Sequence, residues 1–114
     1  MTIRRAEVYL AGLDPVIGRE IEKTRPVVVV SNDLNNEFSG TVTVLPITSG
    51  GLEKIYPFEV LLPKGTANLP KDSKVKANQI RTLDRSRLVK FIGELPKDIM
   101  AGIDKAMMLH LGLE

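Results

Sequence analysis

The run "PVVVVS" at residues 26–31 narrows the folds open to this chain more than any other feature. Four consecutive β-branched residues are stiff at χ1 and favour a pleated strand. With no polar residue alternating among them, the strand is expected to be buried on both faces. Proline stands first, where a missing N–H disturbs a ladder least. Directly before it comes Arg25, after the charged lead-in "EIEKT", so a permanent charge is fixed at the mouth of the most buried strand. A guanidinium stays protonated and must end in solvent, in an ion pair with Glu20 or Glu22, or against an anion. Whichever holds, a residue before proline is biased to extended backbone, so the side chain is aimed reproducibly.

Around this strand, short apolar alternations and turn residues follow one another closely, which is the pattern of a small barrel or sandwich. "EVYLAGL" (7–13) reads as a first strand closed by the Asp14-Pro15 turn, and "SNDLNNEFSG" (31–40) as turn formers with room for one helical turn. "TVTVLPIT" (41–48) alternates, with Val42 and Val44 on one face and Thr41 and Thr43 on the other. "SGGLEKIYP" (49–57) is a loop, "FEVLL" (58–62) a strand and "PKGTANLPKD" (63–72) a second loop. "SKVKANQIRTL" (73–83) and "RLVKFIGEL" (87–95) read as the last two strands, parted by a turn at 84–86. From Pro96 the apolar spacing becomes helical through Ile99, Ile103, Ala106 and His110, widened by Met100, Met107 and Leu111. Proline is expected at the first helical position and Asp98 in the first turn. Five or six strands and a terminal helix predict a mainly β fold, a small antiparallel barrel with the helix packed on it.

At 114 residues the chain has the size of one domain, 1–114, with one core. It has no cysteine, which excludes disulfides, thiolate nucleophiles and zinc–thiolate sites and fits a reducing cytoplasm. Glu7 interrupts the N-terminal stretch and no long uncharged run follows, so neither a signal peptide nor a membrane span is expected. The net charge of +2 is unevenly placed. Residues 71–90 carry seven Lys or Arg against two Asp, while residues 91–114 are net acidic. Such a band either meets a polyanion, whose counterions it would release, or is simply solvated. "SGG" (49–51) lacks the Lys-Ser/Thr of a phosphate loop. His110 is the sole histidine; it falls on the helix stripe as a packing or interface residue, and a two-histidine nuclease mechanism is impossible.

Thr48 closes an alternating strand and opens a loop, a common place for a functional group, although its hydroxyl could equally cap its own turn. If the strands holding Arg25 and Thr48 pair as neighbours, the two residues meet only in an antiparallel arrangement, since one begins a strand and the other ends one.

Taken together, "RRAEVYLAGLDPVIGREIEKTRPVVVVSND", "VLPITSG" and "KANQIRTLDRSRL" resemble, in order and spacing, the MazF/PemK family of toxin endoribonucleases. The resemblance covers nearly the whole chain. It implies an SH3-like barrel with a C-terminal helix, acting as a homodimer whose interface forms a groove for single-stranded RNA. It implies cleavage without a metal or other cofactor, by 2′-OH attack, giving 2′,3′-cyclic phosphate and 5′-OH ends. The family's catalytic arginine maps to Arg25, its threonine or serine to Thr48 and the acidic residue of its first loop to Glu20. The loops at 14–24 and 49–57 would line the groove, so Lys23, Thr24 and Ser49 join Asn78, Gln79, Arg81 and Thr82 as RNA-contacting residues. A cognate MazE-like antitoxin, with a disordered acidic and hydrophobic tail, would occupy the same groove.

The chemistry suits those residue types. In-line attack builds negative charge on the non-bridging phosphate oxygens, which a bidentate guanidinium and a hydroxyl would stabilise. Arginine is a poor base, so proton removal falls to Glu20, to water or to a substrate group. The chain also departs from the family: Arg19 and Asn78 stand where some members carry a histidine and an aspartate, and Lys23 replaces a common glycine. Two other functions fit the same architecture. One is a non-catalytic barrel of the CcdB type, which inhibits gyrase and would act through residues 110–114, or a silent nucleic-acid module; the other is a domain binding a protein partner.

Overall fold

The computed structural model describes residues 2–13 and 24–113. Its strands are β1 (Glu7–Gly12), β2 (Thr24–Val29), β3 (Thr41–Thr48), β4 (Glu59–Leu62), β5 (Ser73–Lys76), β6 (Arg81–Asp84) and β7 (Leu88–Glu94). The helices are α1 (Asp33–Phe38) and α2 (Lys97–Leu111), with short 3-10 turns at Thr66–Asn68 and Arg85–Arg87.

All described pairings are antiparallel, in the order β4-β5-β3-β2-β1-β7, with β6 on the same side of β3 as β5. Among the described residues β4 and β7 do not pair, so the expected barrel is a loosely closed sheet rather than a continuous ring. The turn at 66–68 fills the gap: Asn68 Nδ2 donates to the Ile92 carbonyl at 2.9 Å, and the Ala67 backbone lies against Gly93.

The valine run is buried on both faces. Val27 and Val29 join Tyr9, Ala11, Val42, Val44 and Leu83 in one apolar cluster. Val28 and Val30 join Val8, Leu45, Ile47, Leu62 and Val75 in the other, which also receives Met100, Ile103 and Ala106 of α2. β2 thereby becomes the rigid wall between two halves of the core.

Three expectations change. Residues 73–83 form two strands, because the chain turns at 77–80, with Gln79 N–H donating to the Lys76 carbonyl and Ala77 N–H to that of Phe58. That makes seven strands. Pro96 is the N-cap of α2 rather than its first helical residue. His110 lies exposed in the last turn of α2, outside the packed stripe of this chain. The single helical turn allowed at 31–40 is α1, capped by the Asn32 side chain accepting from Asn35 N–H at 2.8 Å.

Candidate active site at the β2–β3 strand ends

Val27 faces Pro46 and Val28 faces Leu45 across the β2–β3 ladder. Continued two steps beyond its last pair, Val27 and Pro46, that register would set Arg25 opposite Thr48. Ala11 of β1 faces Arg25 on the other side, and Lys74 of β5 faces Thr48. Cross-strand partners project to the same face of a sheet, so Arg25, Thr48 and Lys74 stand in one row. Arg25 and Thr48 both line a cleft of about 330 Å³, with Thr24, Ser49, Lys71 and Ser73. The strand-start arginine and the strand-end threonine thus meet by the antiparallel route the sequence required.

Arg25 is half-buried and has no carboxylate partner among the described residues. Gly50 N–H donates to Thr48 Oγ1 at 3.2 Å. The hydroxyl therefore does cap its own turn, but this bond uses an oxygen lone pair and leaves the O–H proton to donate into the cleft. A half-buried guanidinium and an oriented hydroxyl facing one open cleft offer the kind of donors that a phosphate-like anion accepts.

The remaining predicted residues divide. Thr24 and Ser49 sit in the cleft. Glu20, Lys23 and the first loop lie outside the described residues. Asn78, Gln79, Arg81 and Thr82 do not enter the cleft: Arg81 faces Val44 and Thr82 faces Thr43 on the other half of β3. From Thr48 to Val44 is about 13 Å of strand. Asn78 Oδ1, in the turn between β5 and β6, is buried without a hydrogen-bond partner among the described atoms. Two other clefts, of about 300 and 460 Å³, flank the N-terminal segment and α2 and contain none of the predicted residues.

The basic band is not one surface. Lys74 is only 5% exposed. Its ammonium bonds Gly51 O at 2.7 Å, Lys54 O at 3.3 Å and Glu59 Oε1 at 3.0 Å. Lys76 bonds Glu59 Oε2 at 2.9 Å, and Tyr56 N–H donates to Glu59 Oε1 at 3.0 Å. Burial pushes the Glu59 pKa up, but the bonds from Tyr56, Lys76 and Lys74 outweigh it and hold the carboxyl at about 2, against an ordinary 4.5. Neither the solvated nor the polyanion expectation holds for these two lysines. The clue lay in "SKVK", whose lysines share one strand face, and in "FEVLL", whose single acid interrupts an apolar strand.

Residues 4–111 match the family described as PemK-like, MazF-like toxin of type II toxin-antitoxin system. The chain belongs to this family. It is 42% identical over 116 residues to Endoribonuclease MazF9 of Mycobacterium tuberculosis, covering 97% of this chain and 98% of that protein. With Endoribonuclease MazF of Staphylococcus epidermidis it shares 43% identity over 111 residues, covering 97% and 92%. Its fold is similar to a solved MazE–MazF structure from Deinococcus radiodurans, with a TM-score of 0.83, 30% identity and coverage of 100% of this chain and 99% of that one. The mainly antiparallel sheet with a C-terminal helix is therefore the family's architecture.

Proposed function

We propose that this chain is the toxin of a type II toxin–antitoxin system, a cytoplasmic homodimeric endoribonuclease that cuts single-stranded RNA, messenger RNA included, sequence-selectively and without a metal. The observation that carries this reading is that Arg25, at the start of β2, and Thr48, at the end of its antiparallel neighbour β3, line the same cleft. The 2′-OH attacks the adjacent phosphorus in line, the P–O5′ bond breaks, and the products end in a 2′,3′-cyclic phosphate and a 5′-OH. Arg25 holds two non-bridging oxygens and Thr48 donates its proton to the charge that develops on them. The proton leaving the 2′-OH is assigned to Glu20, on the sequence alone; water protonates the departing 5′ oxygen. Arg81 and Thr82, opposite Val44 and Thr43 about 13 Å or more along β3 from Thr48, serve with Asn78 and Gln79 of the preceding turn to hold nucleotides beyond the cut phosphate rather than the phosphate itself. A MazE-like antitoxin is the protein partner, as the MazE–MazF structure from Deinococcus radiodurans supports, and its acidic, partly apolar tail competes for the same groove, as the family resemblance implies.

The test is incubation of the purified protein with single-stranded RNA in EDTA. Discrete fragments with 5′-OH ends are expected, from a species whose mass in solution is twice 12.6 kDa. Intact RNA, or cleavage that needs an added divalent cation, overturns the reading.

A further inference from the structure

We propose that buried Lys74 is a positioning residue for Thr48: it ties down the loop that follows, and so fixes the turn that orients the Thr48 hydroxyl. This rests on the reading that Thr48 acts on the phosphate. Lys74 and Thr48 are direct partners across β3 and β5, so the lysine stem runs beside the threonine on the same face. An ammonium has three donors, and here all three are taken, by the carbonyls of Gly51 and Lys54 and by the Glu59 carboxylate.

Two of those bonds reach across the loop that Thr48 opens. Gly51 sits at φ +65°, a left-handed conformation, and a Cβ there would come 3.3 Å from Lys74 Nζ. The next residue back, Gly50, gives the N–H that fixes the Thr48 hydroxyl. A buried charge is therefore held in place by Glu59 while its remaining bonds set the loop's path. A pair serving stability alone would not need the two loop carbonyls; a long apolar side chain would fill the same space.

Lys76 supplies an internal control. It bonds the same Glu59 carboxylate but, among the described residues, donates to no loop carbonyl, and it does not line the cleft. Lys74→Met leaves Glu59 paired with Lys76, and Lys76→Met leaves it paired with Lys74, so each variant keeps one partner for the buried acid.

The experiment measures kcat and KM on a short single-stranded RNA at a temperature where circular dichroism shows each variant folded. Lys74→Met is expected to lower kcat about ten-fold or more with little change in KM, because the reacting group is displaced rather than the binding surface. Lys76→Met keeps the wild-type kcat. In a Thr48→Ala background, Lys74→Met has no further effect on kcat, since its effect passes through the hydroxyl. Should Lys74→Met fail to fold, Gly51→Ala disturbs the same contact from the exposed loop and is expected to lower kcat likewise. If Thr48→Ala is impaired but Lys74→Met and Gly51→Ala are not, if Lys76→Met falls equally, or if the losses multiply in the double variant, this inference fails and the proposed function stands. If Thr48→Ala cuts RNA at the wild-type rate, the site assignment itself fails and takes this inference with it.

Discussion

Arg25 owes its aim to its neighbour: proline at 26 holds the preceding backbone extended, and the ladder to Ala11 keeps it so. Its guanidinium has no carboxylate partner among the described residues. Glu59 is the opposite case, a carboxylate whose side chain is 1% exposed and whose charge persists because two ammonium groups and an N–H surround it. Its folded pKa of about 2 lies below the ordinary 4.5, so its contribution to stability is fully present above pH 4.5 and is lost as pH falls towards 2. At about 1.4 kcal/mol per pKa unit the contribution is on the order of 3 kcal/mol. Denaturant unfolding between pH 6 and pH 3 should show the wild type losing much of this amount below pH 4.5. A Glu59→Gln variant should be less stable at pH 6 and show a flatter acid limb; parallel curves for the two proteins would refute the assignment.

Elements divide by whether their signal is local. The valine run, the Thr41–Thr48 alternation and the helical spacing after Pro96 are each contained in a few residues, and each gave an element with close to the expected bounds. The break at 77–80 was not legible, because Val75, Ala77, Ile80 and Leu83 keep apolar residues coming across a turn that has neither glycine nor proline. Lys74 and Lys76 were misjudged for a related reason: their partner, Glu59, lies 17 residues before Lys76, in another strand. Only tertiary pairing turns those charges inward. The contact sealing the sheet is equally nonlocal. A Cβ on Gly93 would lie 2.6 Å from the Ala67 carbonyl oxygen and 2.8 Å from its carbon, both backbone atoms that move only with the 66–68 turn. Gly93→Ala should therefore cost about 1–3 kcal/mol in chemical denaturation. Stability equal to the wild type would mean that the turn does not brace β7.

For the whole molecule, two apolar clusters lie on either side of β2 and β3, and the proposed site stands at one end of that strand pair. That placement explains how much of the site could be read beforehand. Strand polarity showed how Arg25 and Thr48 come to one end of the sheet, since antiparallel neighbours bring a start beside an end, while their roles came from the family resemblance. Arg81 and Thr82 pair with the other half of β3, and Asn78 and Gln79 lie in the turn before them, a separation that depends on the unforeseen break between β5 and β6. Glu20 and Lys23 fall outside the described residues. In the proposed mechanism Arg25 and Thr48 act together on one phosphate. The most direct test of this claim is single-turnover cleavage of a defined single-stranded RNA by Arg25→Ala, Thr48→Ala and the double variant, each first shown to melt like the wild type. Each single change should slow cleavage by about 10²–10³, and the double variant should lose less than the product of the two, as for groups acting as a unit. Wild-type cleavage by either folded single variant would contradict the claim.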